Sequence, residues 1–185
     1  MTATTPATDF EAVRVWVAAA AGVALTAVFE QNTTFTRPTG GYLTLLPVAE
    51  VTVGRPTRLD GIDGDGVAFA VIAEVVEQTW SVQGYGSGAP VWLDKIRRLW
   101  LTDLGAGATL RAAGVVPESS GNVDNVNRYL DTSFEVRRGV TLRSLAARET
   151  VITDVTTMAE IVVQTTLERD PDVVVATFTQ TLPTS

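Results

Sequence analysis

The sequence predicts an α+β domain, with an antiparallel or mixed sheet and two main helices packed on it. Three observations predict it. Two stretches, Phe10 to Ala21 and Ala89 to Leu104, carry apolar residues at helical spacing. Several other runs alternate, or are uniformly apolar, over strand-like lengths and are divided by Gly, Pro and Asp clusters. No internal repeat, linker or parallel βαβ unit breaks the 185 residues. The chain therefore reads as a single domain over 1–185, with a flexible, Thr-rich stretch at 1–7 and a C-terminal strand extension at 170–185.

Phe10, Val13, Trp16 and Val17 make one apolar stripe on the first helix. Thr8 or Asp9 is its expected cap, Glu11 suits its first turn, and Gly22 is its stop. Leu25 to Phe29 is a short apolar strand ending at Glu30-Gln31, and Asn32 to Gly41 is a Thr-, Pro- and Gly-rich loop. Tyr42 to Val53 reads as a strand, with Pro47 marking a bulge or an edge. Gly54 to Gly66, with its Asp-Gly pairs, is the exposed tip of a long hairpin, and Val67 to Val82 returns. Phe69 to Ile72 is apolar on both faces, as in a sheet partly covered on both sides.

Gly84-Tyr85-Gly86 ends that strand. In the second helix Trp92, Leu93, Ile96, Leu99 and Trp100 share a face opposite Asp94, Lys95 and Arg98. Gly105 and Gly107 are read as its end, Leu110 to Val116 as a short strand, and Glu118 to Asn127 as a loop. Leu130 to Leu142 alternates, with Phe134, Val136 and Val140 on one side and Ser133, Glu135 and Arg137 on the other. Ala159 to Leu167 and Val173 to Leu182 are further strands joined by a turn at Asp170-Pro171-Asp172.

Composition narrows the function. A 45% hydrophobic content fills a core, while 19% charged residues is below the average of about 25%. Lys and Arg total 14 against 21 Asp and Glu, a formal charge of −7, so there is no general attraction to a phosphate backbone. Without any Cys there is no disulfide or thiolate chemistry. Without His the commonest general base and metal ligand are missing. Val13 to Phe29 is apolar, but Asp9 and Glu11 precede it, Arg14 interrupts it, and it falls short of the ~20 residues a membrane span needs.

Other motifs resolve into ordinary structure. Asp60, Asp63 and Asp65 suggest a calcium loop, but Val67 follows and no bidentate Glu closes it, which leaves a solvated turn. Gly84 to Gly88 precedes a helix but lacks the Lys-Ser/Thr of a phosphate loop. Glu74 and Glu77 fall on opposite strand faces, and nothing marks two carboxylates as converging. Arg128, Arg137, Arg138, Arg143 and Arg148 concentrate positive charge in an acidic chain. They form either a solvated face with local Glu partners or a patch that docks an acidic surface. Glu135 and Arg137, two apart on one strand face, are placed for a side-by-side ion pair.

The order of several of these features resembles the phage neck terminator proteins, also called tail terminators, of tailed phages and prophages. The features are the N-terminal helix, the strand ending at Gln31-Asn32, Arg37-Pro38 leading to Gly41-Tyr42, Gly84 before an amphipathic helix, and the Phe134-Glu135-x-Arg137 strand. They span roughly residues 8 to 165, while Pro117 to Asn127 and Pro171 to Ser185 depart from the pattern.

What the resemblance implies is a structural protein of the virion neck with no catalytic residue, metal or cofactor. Such a protein forms a homo-oligomeric ring, commonly a hexamer, that caps the tail tube and ends its polymerisation. It offers a surface to head-side connector proteins and, in contractile tails, the sheath. DNA only passes through the lumen, no membrane is involved, and assembly takes place in the host cytoplasm. On this reading Gln31, Asn32, Arg37, Tyr42, Glu135, Arg137 and Arg138 are the candidate interface residues. The competing classes are another tail or connector component, a non-catalytic binding module, and, behind both, a cofactor-free enzyme.

Overall fold

The computed structural model describes residues 5–62, 65, 67–102, 107–126, 128–130, 133–153, 160–169 and 172–181. Helix α1 runs Pro6–Ala21, one turn earlier than the apolar stripe suggests. Thr5 is its cap and shares a reciprocal capping box with Thr8, while Pro6 supplies a preset φ at the first helical position. The start was expected at Thr8 or Asp9; Asp9 is instead fully buried. Gly22, at φ 73°, ends the helix as its position predicts.

A 3-10 turn, Leu25–Ala27, takes the first half of the expected strand, leaving β1 as Val28–Glu30. Two long strands follow, β2 (Tyr42–Ile62) and β3 (Ala68–Tyr85), joined too closely to be anything but an antiparallel hairpin. The hairpin thus continues well into the stretch read as its tip. Leu45 and Glu50 face the same side of β2, an odd spacing that a regular strand does not give, and Pro47 lies between them as the expected irregularity.

Helix α2 (Ala89–Leu99) stops before Gly105, and α3 (Gly107–Ala112) occupies residues read as a helix stop and a strand. Helix α3 in turn ends at Gly114, at φ 74°, where Val115 N–H returns to the Leu110 carbonyl. Strands β4 (Val116–Ser120) and β5 (Asp124–Asn125) take up part of the expected loop. The alternating run Leu130–Leu142 is not one strand. A small hairpin of β6 (Arg128–Leu130) and β7 (Ser133–Glu135) precedes β8 (Arg137–Thr153). Along β8, Val140, Leu142, Ser144, Ala146 and Arg148 are the buried set, as a period of two requires.

The main sheet has the order β1-β2-β3-β8-β4, with β5 also on β8. β1 lies parallel to β2, whereas β4 and β5 run antiparallel to β8, so the sheet is mixed and the α+β class holds. The chain forms two compact units, residues 1–57 with 73–149, and residues 58–72 with 150–185. In the first, α1 packs on α2 and α3, and the core unites Val13, Trp16 and Val17 with Leu43, Leu45, Trp80, Leu93, Ile96 and Leu142. In the second, the Phe69 ring lies over Gly61, and β9 (Glu160–Arg169) pairs antiparallel with β10 (Asp172–Thr181). Both terminal strands were expected; the turn at Asp170-Pro171 lies outside the described residues.

A polar chain threads the first unit. Trp80 Nε1 donates to Ser144 Oγ at 2.9 Å, Ser144 to Gln78 Oε1 at 3.2 Å, and Gln78 Nε2 to Asp9 Oδ2 at 2.7 Å. Arg148 reaches Asp9 at 2.7 Å and grips both oxygens of Glu50 at 3.1 and 2.6 Å. Burial works to raise the Glu50 carboxyl, but hydrogen bonds from Arg148 and Gln78 outweigh it and hold the group below its ordinary value. A lowered carboxylate stabilises the fold above its unfolded pKa, and that contribution is lost as pH falls through the folded value. Glu50→Gln is therefore expected to be less stable than wild type at pH 7, with the gap narrowing as pH falls toward 3. Urea midpoints at the two pH values check this, and a gap independent of pH would refute it.

Candidate functional site

Three segments of the first unit converge beside the open end of the hairpin. The first is the loop after β1, the second the turn from β3 into α2, and the third the junction of β7 with β8. They enclose a cavity of about 500 Å³ lined by Arg37, Pro38, Thr39, Gly40, Gly41, Tyr42, Tyr85, Gly86, Ser87 and Val136. Its walls are tightly fitted. Gly86 sits at φ 89°, and a Cβ there would lie 3.0 Å from Gly41 Cα. A Cβ on Gly41 would lie 2.6 Å from the Trp92 ring of α2, so both glycines are needed for the close approach. Gly86 N–H donates to the Val136 carbonyl at 3.0 Å, which ties the turn to the β7–β8 junction.

The floor is aromatic. Tyr42 stacks on Tyr85 with centroids 4.4 Å apart and planes 6° apart. Phe29 and Phe35 stack at 4.4 Å, and each meets Tyr42 edge-on. Arg137 lies 5.1 Å from the Tyr85 ring centroid, with its guanidinium donating to Gln83 Oε1, the acceptor also of the Tyr85 hydroxyl. Burial raises the Tyr42 hydroxyl above its ordinary pKa, against the pull of the Arg37 and Arg137 charges. The arrangement is a preformed, aromatic-floored pocket with guanidinium groups at its margin. Its rings and guanidinium groups can receive a polar or acidic group.

Of the residues expected at an interface, the fold brings Arg37, Tyr42 and Arg137 to this one place. Gln31 and Asn32 lie in the turn that ends β1, where Gln31 N–H donates to the Leu45 carbonyl and Asn32 is exposed. Arg138 sits on β8 opposite Asn125, outside the pocket lining. Glu135 pairs Arg128 through the backbone, and its side chain lies outside the described residues, as does the expected Glu135–Arg137 ion pair. Tyr85, Gln83 and Phe35 were missed; an aromatic held between two glycines at a strand end was the available signal.

The basic cluster does not act as one patch. Arg148 is buried against Asp9 and Glu50, and Arg143 lies 3.5 Å from Glu77, so these two follow the local-partner reading. The glycine-rich turn holds no phosphate-loop geometry, since the Gly86 amide is spent on Val136. Asp60 is engaged by Arg58 at 2.7 Å, Asp63 lies outside the described residues, and no cluster able to hold a metal occurs among those described.

No described helix is long and apolar enough to cross a membrane. No curated protein matches the chain. A family model described as phage neck terminator protein matches residues 10–170. A match of that length implies a structural component of the virion tail or neck that contacts other neck and tail proteins. With residues 10–170 matched, by far the greater part of its length, the chain belongs to the phage neck terminator family.

Proposed function

We propose that this protein assembles into a closed ring, a hexamer, that seats on the end of the tail tube, stops its polymerisation and presents a docking surface to the head-side connector. The family match over residues 10–170 carries the reading. A cyclic ring needs two different, complementary patches on each subunit. The pocket around Arg37, Tyr42 and Arg137, with Gln31, Asn32, Glu135 and Arg138 about it, is the proposed first patch. Its partner is an acidic surface on the neighbouring subunit or on the tube protein, with the sheath as a further neighbour in contractile tails. The net charge of −7 fits a lumen through which DNA slides without adhering. Assembly would take place in the host cytoplasm, without a cofactor.

Charge reversal at Arg137 and Arg138, both to Glu, is expected to weaken ring or tube-end assembly at least tenfold, with unfolding midpoints shifted far less. Sedimentation analysis and particle counts by electron microscopy read the two effects. Unchanged assembly removes the interface assignment. The terminator role is tested separately by immunogold labelling of phage particles. Gold is expected at the head–tail junction, and gold along the tail reassigns the part.

A further inference from the structure

Among the described residues, the outer edge of β2 is unpaired over most of its length. Strand β1 covers only Leu43 to Leu45, and every residue from Pro47 to Asp60 is exposed. Long open edges are normally blunted by Lys, Pro or a bulge because they template pairing with another chain. Here Val48 to Val53 carries neither Lys nor Pro, its one charge, Glu50, is turned to Arg148, and Val48, Val51 and Val53 are 55%, 61% and 49% exposed. Pro47 lies on one side of this stretch, and Gly54, at φ 80°, followed by Pro56 on the other. The flanks delimit a footprint of about six residues that a strand can pair.

The same chain carries a strand pair with no third member among the described residues. β9 and β10, ten residues each, pair only with one another among the described residues. An isolated two-stranded hairpin is marginal in water and gains from a third strand. Their sequences are rich in β-branched residues, Ile161-Val162-Val163 and Val173-Val174-Val175.

We infer that the bare edge of β2, over Val48 to Val53, accepts the β9–β10 hairpin of a second copy of this chain by strand addition. This rests on the ring reading and deepens it, supplying a second, heterologous contact apart from the aromatic pocket. Backbone hydrogen bonds give the affinity, and the exposed valines set the register. Head-to-tail exchange of one element repeats around a closed ring.

The lack of cysteine makes the test clean, because every disulfide must come from an introduced residue. Two tagged full-length chains, one with Thr52→Cys and the other with Thr165→Cys (on β9) or Thr177→Cys (on β10), are mixed and oxidised. A mixed disulfide joining the two tags is expected in one of the pairings. Thr52→Pro supplies the second arm. Leu45 points its side chain to the core and its carbonyl to β1, and Thr52 lies on the same face as Glu50, so its N–H points away from β3. Proline there spares the β3 ladder yet blocks an added strand, and association is expected to weaken at least tenfold; Val51→Lys does the same without a backbone change. An oligomer that gives only Thr52–Thr52 cross-links, or none between the tags, overturns strand exchange while leaving the ring. A wild-type chain that stays monomeric, by mass measurement, on its own and on tube ends overturns the ring reading and this inference together.

Discussion

Asp9→Ala is expected to lower folding stability by about 3–5 kcal/mol, the range for breaking a buried ion pair from one side. Asp9 has no solvent exposure, and Arg148 beside it is only 10% exposed. Removing the carboxylate takes from the buried guanidinium one of the two carboxylates it grips and strips Gln78 Nε2 of its shorter bond. The damage spreads because the network ties the first turns of α1 to β2, β3 and β8. The intact pair is not thereby a large net gain, since desolvating both charges offsets much of their attraction. Replacing both partners by apolar residues, Asp9→Ala with Arg148→Met, should therefore cost clearly less than the sum of the single changes. Urea unfolding of the four proteins in a double-mutant cycle measures it. A single-mutant loss below about 1 kcal/mol would show that water reaches the site and shields the charge.

Trp100→Ala is expected to cost a similar ~3–5 kcal/mol, by a different route. Trp100 is fully buried just after α2, meets Trp16 of α1 edge-to-face at 4.9 Å, and donates Nε1–H to the Arg143 carbonyl of β8 at 2.9 Å. Its removal opens a cavity where two helices and a strand meet. Trp100→Phe separates the contributions, because a ring can still meet Trp16 while the Arg143 carbonyl loses its donor. A loss of about 1–3 kcal/mol is expected for that change. Thermal unfolding followed by far-ultraviolet circular dichroism reports both variants. Equal stability of the Phe variant and wild type would mean that packing alone sets the contribution of Trp100.

What the amino-acid order determined by itself was everything with a local period or a local stop. The stripe Phe10, Val13, Trp16 and Val17 became the core face of α1, and Gly22 ended it, because helical spacing and a left-handed cap are properties of neighbours in sequence. The long hairpin and the terminal strand pair were equally legible, and the order of the N-terminal helix, Arg37-Pro38, Gly41-Tyr42 and Gly84 before a second helix was among what sufficed to indicate the family. Locally ambiguous stretches misled: Gly107 reads as a stop yet begins α3, and the alternation from Leu130 conceals that β6 and β7 pair with each other.

Tertiary structure alone decided which charges are partners and which rings meet. Arg148 belongs by sequence to a basic cluster, yet it is buried on Asp9, which precedes it by nearly the whole first unit. Tyr42 and Tyr85 stack only because β2 and β3 pair with one register, and Arg137 joins them only because β8 lies next to β3. Such contacts depend on strand register and helix placement, which collective burial of the core sets. No short stretch of sequence encodes that placement, so the pocket could be named residue by residue beforehand but not seen as one site.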